Sequence, residues 1–195
     1  IIGIDDVTLN KIGPWPLKRQ WYGDMLDYLG EAKSVGFDMF FAEASRYGKD
    51  DDSLLIKDLQ SFPKPVFIPV ELRDRGGVSV PLFSEYKGIG DDHIATSSFA
   101  NVLVDTDGVV RQMEFERDGR ASFACAVSLT QCIGRENTRI QYEGKEGTIT
   151  TVSFLDVVEG RIPASFFKDG YVLVGVTSPS LHDVSGTPFG QLPGV

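Results

Sequence analysis

Residues Tyr171–Pro188 read YVLVGVTSPSLHDVSGTP, an apolar run that breaks abruptly into a small, polar loop. Tyr171–Val176 is short, β-branched and apolar at consecutive positions, the pattern of a strand buried on both faces. Gly175 lets another part of the chain or a ligand approach the backbone. Thr177, Ser178, Ser180, His182, Asp183, Ser185 and Thr187 follow at once with hydroxyl, imidazole and carboxylate groups. Open α/β sheets present their binding crevice outside the carboxyl ends of their strands, and this composition suits such an edge. The same residues are also ordinary turn formers, so composition alone leaves both readings open.

The rest of the chain supplies partners for that strand. Ile1–Asp6 reads as a strand ending in two carboxylates, Asp5 and Asp6. Gly13-Pro14-Trp15-Pro16 forbids helix. From Leu17 to Lys33, Trp21, Met25, Tyr28, Leu29 and Ala32 recur at helical spacing. Val35–Phe41 and Val66–Leu72 are the second and third strands. Between them a helix follows Asp50, Asp51 and Asp52, whose acidic side chains suit a helix start. Arg73 to His93 is an irregular excursion.

Asn101–Asp105 and Val109–Phe115 flank DTDG, a hairpin turn too short for a calcium loop. Ser122 opens a helix expected to reach Gly134 and to bury Cys125, Leu129, Cys132 and Ile133. Thr138–Tyr142 is a strand, and Ser153 with Asp156 resembles a capping box before a short helix ending at Gly160. This alternation predicts an α/β fold: a mostly parallel central sheet with helices on both faces, plus an antiparallel hairpin addition. One domain over residues 1–195 is expected, excised from a longer protein.

Composition excludes several functions. With 42% hydrophobic and 24% charged residues the chain is globular in character. A net charge of -9 with scattered basic residues excludes a nucleic-acid partner. No run of about 18 apolar residues exists to span a membrane. Cys125 and Cys132, seven apart on one expected helix, would lie roughly 10 Å apart along its axis and remain free thiols.

Dinucleotide, P-loop, HExxH and GxSxG signatures are absent, and two histidines exclude a multi-histidine metal site. No catalytic residue, metal ligand or cofactor is therefore assigned. The strand ends would gather Asp5, Asp6, Glu43, Thr177, His182 and Asp183 at one edge. Such an edge suits ligand binding, a divalent cation or acid–base work; the alternative is that Asp5 and Asp6 cap turns or helix starts while His182 is an ordinary loop histidine. His93, in the irregular excursion, has no role.

IIGIDDVTLNKIGPWP, VGFDMFFAE, DDDSLL, NVLVDTDGVVRQ, IQYEG, VSFLDVVEGRIP, FFKDGYVLVGVTSPSLHD and TPFGQLPGV, in this order, resemble a CHASE2 domain from end to end. The resemblance implies an extracytoplasmic sensor module of a bacterial receptor, tethered to the inner or plasma membrane. It further implies transmembrane helices beyond Ile1 and Val195, both termini near the membrane-facing end, and a histidine kinase, nucleotide cyclase or Ser/Thr kinase as cytoplasmic output. Positions matching the family pattern include Asp5, Asp6, Trp15, Pro16, Asp38, Asn101, Asp105, Asp107, Gly108, Arg111, Gly175, Thr177, Asp183, Thr187 and Pro188. The Ser178–His182 stretch departs from it, so His182 is expected to be peculiar to this receptor, tuning its ligand chemistry or pH response.

The leading functional expectation is a non-catalytic sensor of a small ligand or ion, with Asp5, Asp6, Gly175, Thr177, His182 and Asp183 as its binding residues. Two alternatives stand beside it. One is a structural module that only sets a homodimer, using an apolar patch around Trp15, Phe83 or Phe99; the other is a metal-dependent hydrolase.

Overall fold

The computed structural model describes residues 1–73, 76–84, 86 and 98–195. Its elements in the first half are β1 (Ile2–Ile4), α1 (Asp6–Ile12), α2 (Arg19–Leu26), β2 (Ser34–Asp38), α3 (Lys49–Ser61), β3 (Val66–Phe67), β4 (Glu71–Leu72) and β5 (Val78–Val80). They continue with β6 (Leu103–Val104), β7 (Val110–Met113), β8 (Glu116–Arg117), β9 (Arg120–Ala121), α4 (Phe123–Val127) and β10 (Thr138–Arg139). The last are β11 (Val152–Ser153), α5 (Phe154–Val158), β12 (Tyr171–Val176), β13 (Val184–Thr187) and β14 (Gly190–Pro193).

Five strands form a parallel sheet in the order β11-β1-β12-β2-β3, with β12 at its centre. The central place explains why Val172, Val174 and Val176 of that strand are all buried. Antiparallel additions surround the sheet: β10-β7-β6, β13-β14, β4-β5 and β8-β9. The expected α/β class with an antiparallel addition is what the chain adopts.

Strand alternation gives the sheet two unlike faces. Ile2, Ile4, Val35, Phe37, Val172 and Val174 point into the main core, where α2, α3 and α5 add Tyr22, Met25, Leu55, Leu59, Phe154 and Val157. Tyr22 anchors that core, meeting Phe37, Phe41 and Phe154 edge-on at 5.6–5.8 Å between ring centres. The opposite face carries Gly3, Gly36 and Gly175, one in each of the three middle strands. There the short α4 sits so close that a Cβ on Gly36 would lie 2.5 Å from Val127 and 2.8 Å from Phe123. Helices do cover both faces, but unequally.

Several elements differ from expectation. The chain after β1 turns directly into α1, because the Asp5 side chain accepts the Thr8 amide as an N-cap. The helix opened by Ser122 ends at Val127 rather than near Gly134. Leu129 takes a left-handed conformation there (φ 55°), and both Leu129 and Ile133 are exposed. That turn folds Cys132 back, bringing the Cys125 and Cys132 Cα atoms to 6.1 Å, and the two form a disulfide. The expected free thiols required a continuous helix that does not exist.

Within the expected irregular excursion β5 pairs with β4 as a hairpin; His93 lies outside the described residues. The three aromatic candidates for a dimerisation patch lie at different depths. Phe99 is fully buried, and Trp15 and Phe83 pack half-buried against the main core.

Acidic residues at the start of α3 also behave unexpectedly. Asp51 caps α2 rather than its own helix, accepting the Arg19 amide at 2.8 Å and the Gln20 amide at 3.1 Å. Asp52 is wholly buried, accepting the Tyr86 hydroxyl and the Ser45 amide, each at 2.7 Å, beside Arg19 Nε at 3.5 Å. The DTDG turn forms as expected and is clamped by Arg111, which reaches Asp105 at 2.8 Å and both oxygens of Asp107. That guanidinium holds the Asp107 carboxyl down, at about 2.

Candidate functional site

The glycine face is only partly covered by α4, and the remainder opens as a cleft of about 580 Å³, within the range of small-molecule sites. Its walls come from separate parts of the chain: Val110 from β7, Leu192 from β14, Tyr142 beyond β10, and the loop of residues 143–149. Ile1 and Val195 line the same cleft. Close packing shapes its floor. A Cβ on Gly3 would lie 2.4 Å from the Thr177 hydroxyl, and one on Gly175 would lie 2.7 Å from Val195. Without side chains at these two positions, Thr177 and Val195 can lie flat on the sheet.

Asp5 and Thr177 bring polar groups to the floor of a cleft whose lining mixes apolar residues with Glu143, Lys145, Glu146, Ser185 and Thr187. Asp5 Oδ1 accepts the Thr8 amide at 2.8 Å, the Thr8 hydroxyl at 2.6 Å and the Ser153 hydroxyl at 3.1 Å. Its second oxygen, Oδ2, receives no hydrogen bond among the described residues. The expected capping box at Ser153 therefore does not form. Ser153 turns to Asp5 instead, and the Thr8 hydroxyl accepts the Leu155 amide at 3.3 Å. Thr177 hangs from β1 by its backbone, donating to Ile4 O at 3.1 Å, and its hydroxyl makes no hydrogen bond among the described residues.

The other predicted positions are distributed nearby. Asp6 accepts the Ser178 hydroxyl and, at 3.3 Å, the Ser180 hydroxyl, so it fastens the loop after β12 to the start of α1. Gly175 lies on the sheet beneath Val195. His182 is exposed, in left-handed conformation (φ 55°) at the end of the 3₁₀ turn Pro179–Leu181. Asp183 lies against the chain at Gly194, whose amide donates to Asp183 O at 3.0 Å. None of Asp6, Gly175, His182 and Asp183 lines the cleft. Glu43 is not brought into this group either: its backbone oxygen accepts from Arg19 at 3.3 Å while the side chain is exposed.

Asp38 belongs to the same edge and was absent from the predicted set of binding residues. It ends β2 opposite Gly175. Burial, with a smaller repulsion from Asp183, raises its carboxyl to about 6, and burial raises Asp183 in the same direction. One signal could have shown this face in advance. Ile2-Gly3-Ile4, Val35-Gly36-Phe37 and Val174-Gly175-Val176 repeat a glycine between apolar residues in all three middle strands. Asp5, Asp38 and Thr177 each stand two residues beyond one of those glycines.

Among the described residues no three His, Cys, Asp or Glu side chains are grouped to hold a metal ion, and no helix is long and apolar enough to cross a membrane. The CHASE2 domain family matches residues 1–195, the whole chain. The chain belongs to that family, whose members are extracellular, non-catalytic sensor domains of receptors. No curated protein and no solved structure matches it.

Proposed function

We propose that this domain senses a small molecule bound in the cleft on the glycine face, and that binding is relayed through both chain ends to membrane helices and a cytoplasmic kinase or cyclase. The observation that carries the reading is the cleft itself: an apolar recess of about 580 Å³ whose lining includes Asp5, Thr177 and both Ile1 and Val195. A ligand there touches Ile1, Asp5 and Thr177, which flank β1 and β12, and reaches both chain ends, Ile1 and Val195. Relay requires unequal affinity for two arrangements of the domain, since a ligand binding both equally shifts neither. Walls drawn from separate segments suit such a difference, because a bound molecule would draw them together.

Asp5 and Thr177 are the predicted contacts that line the cleft. Asp6, Gly175 and Asp183 act one step away, at the loop and the floor against which the ligand lies, while His182 stays exposed on that loop. A small-molecule screen followed by amide NMR shifts tests the assignment. Binders should perturb Val102, Tyr142, Thr177 and Thr187 together; binders that perturb only residues remote from the cleft would overturn it.

A further inference from the structure

The lining of the cleft also specifies a ligand class. Val102 and Ile149, both largely exposed (57% each), are uncovered among the described residues although they line a recess with Val110, Ile140 and Leu192. An apolar body laid there would remove that surface from water. At one wall stands Asp5, gripped at Oδ1 by three donors from α1 and β11 and with Oδ2 unclaimed among the described residues. The remaining side-chain charges of the lining are Glu143, Glu146 and Lys145, so acidic groups outnumber the single base. A fixed carboxylate oxygen in an apolar recess favours a charged donor, since hydrogen bonds to ionised groups are the stronger ones. The Thr177 hydroxyl, also without a partner among the described residues, is a second acceptor on the same wall.

Resting on the sensing assignment above, we propose that the ligand is a small organic cation: an alkyl or aryl ammonium whose head donates to Asp5 and Thr177 and whose apolar body lies along Val102, Val110 and Ile149. An apolar anion would instead have to place its head on Lys145 between two glutamates, or on the Ile1 amino group, which already donates to Thr150 O, beside a fixed carboxylate.

Three matched probes test this: hexylammonium, hexanol and hexanoate, titrated into the protein and followed by amide NMR. The expected order is hexylammonium first, hexanol weaker and hexanoate weakest. Asp5→Asn keeps a good N-cap for α1, and should weaken hexylammonium by about tenfold or more while leaving hexanol unchanged. Raising the salt concentration on the wild-type protein should weaken hexylammonium alone, a readout that does not depend on any variant folding. If hexanol or hexanoate binds as tightly as hexylammonium in the cleft, or Asp5→Asn leaves hexylammonium affinity unchanged, the cation assignment fails while the sensing cleft stands. If none of the three shifts a cleft amide, or Val102→Trp leaves hexylammonium binding unchanged, both fail.

Discussion

Asp38 is held where a carboxylate is costly, at the end of β2 and beneath the chain near Asp183. The ordinary carboxyl value is 3.8, whereas burial raises this one to about 6 in the folded protein. Between those values the folded state binds more protons than the unfolded one, so stability falls as pH rises. The contribution is complete below about pH 4 and is lost as pH passes about 6, roughly 2–3 kcal/mol in all. Asp38→Asn should therefore gain on the wild type between about pH 4 and pH 7 in urea unfolding. Parallel pH curves for the two proteins would show that Asp38 is not desolvated. Gly3 makes an independent residue-scale prediction. Gly3→Ala would place a methyl 2.4 Å from the Thr177 hydroxyl, so it should cost about 1–3 kcal/mol in the same assay and shift the Thr177 amide.

Elements were legible where periodicity alone determines them. The β12 run, the strand ends at Asp5 and Thr177, and the Arg111-clamped turn could all be read from spacing and turn chemistry. Helix lengths could not, because tertiary turns overrode the pattern. The apolar residues from Phe123 to Ile133 fit a helix, yet the left-handed Leu129 ends it and lets Cys125 meet Cys132. Capping was readable as chemistry but not as address. Asp51 caps a helix 32 residues away, and Ser153 serves Asp5 across 148.

Two predictions belong to the elements. Asp52→Ala strands the buried Arg19 and the Tyr86 hydroxyl between α2 and α3, and should cost about 3–5 kcal/mol; a loss below about 1 kcal/mol would mean the pair is solvated. Reducing the disulfide frees a short loop and should lower stability by about 2–3 kcal/mol. Thiol titration should find two reactive groups only after reduction.

Across the whole molecule, one sheet divides the labour. The face built on Ile2, Phe37 and Val174 carries the core under three packed helices. The glycine face carries little apolar bulk, is covered by α4 over Gly36, and keeps a recess lined by Asp5, Thr177, Ile1 and Val195. Sequence reasoning located the strand-end edge but not this recess, because its walls come from β7, β14 and the 143–149 loop, which no local pattern connects. A ligand selective for the folded protein should raise its melting temperature, by an increment equivalent to about 2.7 kcal/mol at one hundred times Kd.

If the domain senses through this recess, its occupancy sets the signal. Val102 is exposed at the rim, so Val102→Trp can fill the cleft without entering the core. The decisive measurement is the cytoplasmic output of a receptor carrying that substitution, with and without its stimulus. A folded Val102→Trp domain should fix the output at one level and abolish the response. An output range equal to that of the wild type would overturn the sensing role of the cleft.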